Sequence, residues 1–242
     1  MKSILIAAAL AAFATPSVAL ADAIVLNSGS VGTSFTVGFN GFDGSGTVSG
    51  LTSSATFTLT SLTANSYTFG YTVNNTSTSP ITTSRVSGFG FNTNPDISGA
   101  SSTGTYNIVG TTSNVPNIGT VDVCVKGGGG TNSCAGGGSG GVALGGTGSG
   151  TLTLSFASAL TSLNISDFFV RYQSITGTNA NTPSSAVGSG TITSSGSTST
   201  GGSTGGVPVP EPGMLGLFML GAAGLWFRRR RIAPKQAQLA FA

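Results

Sequence analysis

The stretch ATFTLTSLTANSYTFGYTV, residues 55–73, contains two runs in which apolar and hydroxyl-bearing residues alternate. In residues 55–62 and again in residues 67–73, apolar side chains fall mostly at every second position. Alternation with a period of two is typical of a strand with one buried face. The four residues TANS, 63–66, separate the two runs, and the whole stretch therefore predicts a β-hairpin.

The same alternation extends over residues 22–193. It is clear in residues 120–125 and 151–156, whereas residues 158–169 contain the one pattern compatible with a short helical turn. Many short strands without a long apolar helical stripe predict an all-β antiparallel domain, a β-sandwich or a related jelly-roll. Weaker strand patterns occur at 33–39, 81–91, 105–109, 168–173 and 190–193.

Charged residues make up only 6% of the 242 residues, compared with about 25% in ordinary soluble domains. Between residues 22 and 206, five aspartates oppose Arg85, Lys126 and Arg171, so this part carries a net charge of about −2. It has no cluster of basic residues that could neutralise phosphates, which argues against nucleic acid as a partner.

The residues needed for most enzymatic chemistry are missing. The chain has no histidine, and its only glutamate is Glu211, near the C-terminus. A histidine-based triad and a conventional zinc site are therefore impossible. Few groups remain for acid–base catalysis. We expect no catalytic residue, no metal and no cofactor, and hence a protein that is not an enzyme.

The N-terminal sequence MKSILIAAALAAFATPSVALADA predicts a secretory signal peptide over residues 1–21. Lys2 precedes an apolar run at 4–14 that is too short for a stable membrane span. Ala19 and Ala21 form a small-x-small cleavage site. We expect this helical segment to be removed after Ala21, which leaves an exported chain that begins at Asp22.

The only two cysteines are Cys124 and Cys134. In an exported protein, such a pair predicts a disulfide, which should stabilise the fold by about 2.5–3 kcal/mol. The glycine-rich tract 134–150 lacks the Lys-Ser/Thr of a phosphate-binding loop, and we expect it to be a mobile surface loop.

Two groups of polar residues have a further interpretation. Asn92, Asn94 and Asp96 alternate as in the start of a calcium loop, but the later acidic ligands are missing, so a turn is favoured. Asn-x-Ser/Thr sequons for glycosylation begin at Asn74, Asn75 and Asn164.

The C-terminal part begins with SSGSTSTGGSTGG, residues 194–206, which predicts a flexible linker. Residues 207–231, VPVPEPGMLGLFMLGAAGLWFRRRR, then combine a proline motif, 15 uncharged residues and four arginines. As a helix, the 15 uncharged residues would be roughly 22 Å long, so they predict a short transmembrane helix. The arginines should stop it at the cytoplasmic face, followed by a cytoplasmic tail at 232–242.

This segment resembles the PEP-CTERM sorting signal of Gram-negative bacteria. Pro210, Glu211 and Pro212 match its sorting motif, and the membrane stop is formed by Arg228, Arg229, Arg230 and Arg231. The resemblance implies that an exosortase-type processing enzyme is a partner and cleaves near the motif. It also implies transient anchoring in the inner membrane with a periplasmic β domain. Delivery to the cell surface or extracellular matrix, where exopolysaccharide is a possible partner, would follow.

The β domain resembles the cistern family of PEP-CTERM proteins, to which no biochemical activity is assigned. The resemblance lies in SRVSGFGFNTNPDISGASSTGTY (84–106), NVPNIGTVDVCVKGGGGTNSCAGGGSGGV (114–142) and SDFFVRYQSI (166–175).

Together these features predict an exported, non-enzymatic structural protein of the envelope or extracellular matrix. The alternatives are a carbohydrate-binding or adhesive module on exopolysaccharide, which exposed Tyr or Phe beside Asn and Asp would favour, and a hydrolase based on aspartate.

Overall fold

The computed structural model describes residues 22–129, 132–134 and 139–196, which form twelve β-strands and one 3-10 turn, Ser28–Ser30. The strands are β1 (Ile24–Asn27), β2 (Ser34–Phe42), β3 (Thr47–Thr63), β4 (Ser66–Asn75), β5 (Ile81–Asn94), β6 (Gly99–Gly104), β7 (Ile108–Val115), β8 (Gly119–Lys126), β9 (Val142–Ala143), β10 (Thr147–Ser155), β11 (Ser162–Gly177) and β12 (Ser185–Gly196).

The hairpin predicted from residues 55–73 is confirmed as β3 and β4, joined by a two-residue turn. Phe57 faces Tyr71, and Leu59 faces Phe69, across the pair. These apolar side chains are buried, while the hydroxyl residues between them are half-exposed. The burial of one face follows directly from the alternation in the sequence.

All strand pairs are antiparallel and form one continuous sheet in the order β6-β10-β4-β3-β2-β12-β11-β5-β8-β7. Strand β1 pairs with β11, and β9 pairs with β5. The two end strands, β6 and β7, contact each other, so the sheet is rolled and nearly closed. The all-β antiparallel prediction is confirmed, although one sheet replaces the two sheets of a sandwich. The jelly-roll stays a prediction.

The rolled sheet encloses an aromatic core. Phe57 lies at its centre, with its ring centroid 5.3 Å from that of Phe35 and 5.5 Å from that of Phe89. Tyrosine hydroxyls form hydrogen bonds across this core. That of Tyr172 in β11 is 2.7 Å from Ser53 Oγ of β3, and that of Tyr106, between β6 and β7, donates to Val86 O of β5 at 2.8 Å. The core therefore connects strands that are not neighbours in the sheet.

A smaller apolar cluster lies on the outer side of the sheet. It contains Phe169 and Val187, whose chain neighbours Phe168 and Ala186 belong to the main core, so the two clusters occupy opposite faces. Cys124 and Cys134 belong to this outer cluster and form the predicted disulfide, with 6.1 Å between their Cα atoms. The disulfide prediction is confirmed.

Two local predictions are wrong. Residues 158–169 contain no helical turn, because strand β11 begins at Ser162 and passes through a bulge at Asp167. The glycine-rich tract 134–150 is not simply a surface loop. Val142 and Ala143 pair with β5, and β10 begins at Thr147.

The chain enters and leaves the sheet at neighbouring points. The carboxylate of Asp22 accepts a hydrogen bond of 2.7 Å from the backbone N of Ile192 in β12, where the register of β12 on β2 shifts. Strand β12 continues to Gly196, three residues beyond the predicted domain end at 193. The first and last elements of the domain are therefore tied together.

Several predicted segments lie outside the described residues. They are the signal peptide with its helix (1–21), most of the linker (197–206), the short transmembrane helix and sorting segment (207–231) and the tail (232–242). Within the residues that the structure describes, no helix is long and apolar enough to cross a membrane.

Candidate functional site

The three basic residues of the domain each donate a hydrogen bond to another part of the domain. Arg85 donates to the carbonyl of Ser139 at 2.8 Å, and the buried Lys126 donates to the carbonyl of Ser133 at 3.2 Å. Arg171 donates to Ser185 Oγ at 3.3 Å, and burial lowers the pKa of its guanidinium. These cations stabilise the glycine-rich loop and the sheet, so they are poorly placed to bind an external anion.

On the outer surface, the side chain of Asn92 forms hydrogen bonds with two aspartate residues. Its amide nitrogen donates to Asp167 Oδ2 at 3.1 Å, and its amide oxygen accepts from the backbone N of Asp122 at 3.1 Å. Asp122 Oδ2 in turn accepts from the backbone N of Thr93 at 2.8 Å. The side chains of β5, β8 and β11 are thereby fixed relative to one another.

A cleft of about 290 Å³, here called the Phe42 cleft, lies beside this network. Phe42 is the only aromatic side chain among the described residues that is not buried. Asp167 and Asn117 have left-handed backbones, with φ of 53° and 64°, which Asp and Asn tolerate best. The cleft is lined by Phe42, Asn92, Asn117, Ile118, Thr120, Asp167, Phe168 and Ser189.

A second cleft of about 190 Å³ contains Asp96 and Asp122 together with Ser98, Thr111 and Thr112. It is called the Asp122 cleft and is linked to the Phe42 cleft through the hydrogen bond between Asn92 and the Asp122 backbone. No group of three or more acidic, histidine or cysteine side chains that could hold a metal ion occurs in the described ranges.

The three polar residues at 92–96 do not converge on one point. Asn92 lines the Phe42 cleft, Asp96 lines the Asp122 cleft, and Asn94 pairs with Asn164 in the sheet. This arrangement matches the end of a strand followed by a turn, as the sequence favoured, and does not form a ring of calcium ligands.

A third cleft, of about 570 Å³, lies between the β2–β3 turn, Pro80 and the loop 178–183. Its only charged residue is Asp43, whose carboxylate accepts from Ser45 Oγ at 2.6 Å and from Ser45 N at 2.9 Å. The side-chain hydrogen bond from Ser45 is the main reason that the pKa of Asp43 is lowered. This carboxylate thus stabilises its own turn.

The sequons differ in accessibility. Asn75 is buried, and its amide nitrogen donates to Ser84 Oγ at 3.0 Å and to Val142 O at 3.2 Å. Its amide oxygen accepts from Ser77 Oγ at 2.8 Å. Asn75 is therefore a structural residue that a glycan cannot reach without disrupting β4, whereas Asn74 and Asn164 are half-exposed.

Sequence reasoning did not identify the Phe42 cleft. Phe42 ends β2, and Asp167 lies at a bulge, so neither belongs to a recognisable motif. The only signal was the short string SDFF at 166–169, in which a charge interrupts an apolar run. The predicted sorting and cleavage residues lie outside the described ranges.

Comparison with known proteins gives one match. Residues 208–231 match the PEP-CTERM protein-sorting motif. This motif implies exosortase-dependent sorting of an exported protein, with a membrane-anchored step in that sorting. The match covers the predicted residues Pro210, Glu211 and Pro212 and the four arginines at 228–231. No curated protein and no solved structure matches the chain.

Proposed function

We propose that the protein is a non-enzymatic structural component of the cell envelope or extracellular matrix, delivered there by exosortase-dependent sorting. The observation that carries this proposal is the combination of a sorting motif at 208–231 with a β domain in which the three basic side chains and four of the five aspartates bond to other parts of the domain. In this proposal the β domain reaches the periplasm first and the cell surface or matrix after cleavage near Pro210–Pro212.

The aspartates support a non-enzymatic role. Asp22, Asp43 and Asp122 each accept a backbone N–H, which fixes a strand or a turn. Asp167 accepts from Asn92 and from Ser166 Oγ at 3.0 Å. A general acid or base needs a proton-transfer partner at hydrogen-bond distance from the substrate. Carboxylates that hold backbone and amide donors are better suited to structure than to proton transfer.

The experiment follows the protein through its processing. Cells with and without the exosortase are separated into inner membrane, outer envelope and matrix, and the C-terminus of the protein in each fraction is determined by mass spectrometry. We expect cleavage near 210–212 and recovery from envelope or matrix only when exosortase is present. If the tail at 232–242 is intact in both strains, the proposed cleavage by exosortase is wrong.

The structural role is tested separately in a strain lacking the gene. We expect the matrix or envelope to become mechanically weaker, and restoration by the wild-type chain but not by a P210A/E211A/P212A variant. A D22N/D122N/D167N variant that is exported and restores strength would support a non-enzymatic role. Loss of strength with this variant despite normal folding and export would contradict a purely structural role.

A second candidate function is carbohydrate binding at the Phe42 cleft. The observation that favours it is the half-exposed ring of Phe42 beside Asn92, Asn117 and Asp167. An aromatic face with a few fixed polar groups is the composition of many small-ligand sites. The burial of every other described aromatic side chain limits this candidate to a single small site.

Titration of the protein with mono- and oligosaccharides from the host's exopolysaccharide tests this candidate. Binding should be weakened about tenfold by F42A and by D167N if the cleft is used. The matched control is F39A, at a buried core position. This variant should be less stable, but its folded molecules should bind with wild-type affinity. Equal affinity in wild type and F42A would rule out the cleft.

A further inference from the structure

Apart from Phe42 at the end of β2, the outward positions of β2, β3, β4 and β10 carry small hydroxyl, amide and glycine residues. In each strand, most inward positions are occupied by apolar residues such as Phe35, Phe57 and Leu152. We call the outward surface the hydroxyl face. Its central positions are Ser34, Thr36, Gly38, Ser54, Thr56, Thr58, Thr68, Gly70, Thr72, Ser149, Thr151 and Thr153.

The sheet register aligns these hydroxyls in rows across four strands. Thr36 pairs with Thr56, Thr56 with Thr72, and Thr72 with Ser149. Neighbouring strands are about 4.8 Å apart, and alternate residues along a strand are about 7 Å apart. The result is a regular two-dimensional array that continues into β6, where Thr151 pairs with Thr103.

Hydrogen bonds between strands hold the array in place. Thr36 Oγ1 is 2.8 Å from Thr56 Oγ1, and Ser34 Oγ is 2.8 Å from Thr58 Oγ1. A hydroxyl has one donor and two acceptor sites, so a hydroxyl in such a pair keeps the capacity for another bond. Its rotamer is already restricted, so a partner that binds there loses less side-chain entropy.

The chemistry of the hydroxyl face determines which partner it suits. Strands β2, β3, β4 and β10 contain no charged residue, and none of the central outward positions has a large apolar side chain. A charged partner would lose hydration without an ion pair, and an apolar partner would bury hydroxyls without hydrogen bonds. A neutral chain with repeating hydroxyl groups avoids both costs, because on binding it replaces its hydrogen bonds to water with equivalent hydrogen bonds to the protein.

We propose that the hydroxyl face binds a neutral polysaccharide. Each contact is weak, and affinity comes from a repeating ligand that meets many equivalent positions, as in multivalent binding. The uncharged surface makes this binding insensitive to salt and selective against acidic polysaccharides. The inference rests on the proposed function only in that the protein must be exported to meet such a chain, and it concerns a surface separate from the Phe42 cleft.

Affinity electrophoresis of the purified full-length protein tests the proposal. The gels contain either the neutral or the acidic fraction of the host's exopolysaccharide, separated by anion exchange. We expect the neutral fraction to retard the wild-type protein equally at low and high salt. A T36V/T56V/T72V variant should bind at least about tenfold more weakly. Valine keeps the strand propensity while removing the hydroxyl.

The matched control is T82V/T83V/T176V on β5 and β11. These exposed threonines also bond to one another, with 2.8 Å between the hydroxyls of Thr83 and Thr176, but they lie outside the hydroxyl face. We expect wild-type binding from this control. Thermal unfolding verifies both folds, and T58V/T151V/T153V provides a second set of rows if the first variant does not fold.

Any of four results would overturn the proposal: no retardation of the wild type by the neutral fraction, equal retardation by the acidic fraction, equal loss in the control and the hydroxyl-face variants, or normal binding by a folded hydroxyl-face variant. The proposed structural function is judged independently by envelope or matrix recovery in cells. A hydroxyl-face variant that binds normally in the gel while wild type is recovered from the matrix would refute this inference and leave the proposed function standing.

Discussion

Strands β2, β3, β4 and β10 have inner faces like those of β5, β8 and β11 but different outer faces. The first group has no charged residue and presents rows of hydroxyls. The second contains five of the domain's charged residues and supports the disulfide and the outer apolar cluster. Thus one half of the sheet carries the same small hydroxyl groups at regular intervals, and the other half carries individual charged groups with fixed partners. Regularly spaced groups suit an extended ligand, whereas individual fixed groups suit a small binding site or the stabilisation of the fold.

The largest effect on stability is expected from substituting one glycine in each half of the sheet. A Cβ at Gly90 would lie 2.2 Å from Val123 O and 2.4 Å from a ring carbon of Phe169, whereas a Cβ at Gly70 meets nothing closer than 3.6 Å. We expect G90A to lower the free energy of unfolding by about 3 kcal/mol or more. G70A should change it by less than about 0.5 kcal/mol. Urea unfolding measures both, and similar values would show that the two halves are packed alike.

The disulfide tests how far the charged half depends on its covalent support. Replacing both cysteines in C124A/C134A should lower the free energy of unfolding by about 2.5–3 kcal/mol, because the unfolded chain regains the entropy of an open loop. Reduction of the wild-type protein should reproduce this change. A loss below about 0.5 kcal/mol would mean that the outer cluster around Phe169 suffices without the bond.

High pH should weaken the connection between the halves. Burial raises the pKa of Tyr106 and Tyr172 above the ordinary value of about 10. Below pH 10 these groups are protonated in both states and stability is unaffected. Above it the unfolded chain releases protons that the folded chain retains, so stability falls by up to about 1.4 kcal/mol per pH unit for each tyrosine.

Urea unfolding at stepwise higher pH, with tyrosinate absorbance as a second signal, measures this decline. In a Y172F variant, the free energy of unfolding should fall less steeply with pH, because one buried tyrosine no longer contributes. A free energy of unfolding that is constant from about pH 10 to pH 11 would contradict the assignment of buried, protonated tyrosines.

The smallest expected effect concerns two tyrosines of β4 beneath the hydroxyl face. Tyr71 donates to Thr103 O at 2.7 Å and accepts from Tyr106 N at 3.0 Å, whereas the buried hydroxyl of Tyr67 has no hydrogen-bond partner among the described residues. We expect Y71F to cost about 1–2 kcal/mol and Y67F to be neutral or slightly stabilising. Thermal unfolding compares them, and an equal cost for both would show that Tyr67 has an unrecognised partner.

The sequence predicted the strands whose alternation is strong. The hairpin of β3 and β4 and the strand at 151–156 were predictable because one face of each strand is buried in the core. The strand at 120–125 was predictable because Val123 and Val125 alternate into the core, although Cys124 between them is buried in the outer cluster. Strand β6 was not, since its sequence GASSTG contains no large apolar residue, and pairing with β10 alone makes it a strand. Its conformation depends on a neighbour far away in the sequence.

The bulge explains the wrong helical prediction. Leu163 and Ile165 point into the core, and the extra residue at Asp167 moves the next inward position to Phe168. The resulting spacing of three resembles a helical period, although the chain is extended. The Phe42 cleft could not be predicted for the same reason, because bulges and turns bring its side chains together.

The contact between Asp22 and Ile192, 170 residues apart, has a consequence for the order of folding. Strand β1 can pair only after β11 has arrived, and β2 lacks its second neighbour until β12 has arrived. Non-local pairings of this kind form slowly because a long loop must close first. The fold of the domain is therefore completed only by β12, the last strand before the linker and the sorting motif, so the end of the domain is needed to hold its beginning.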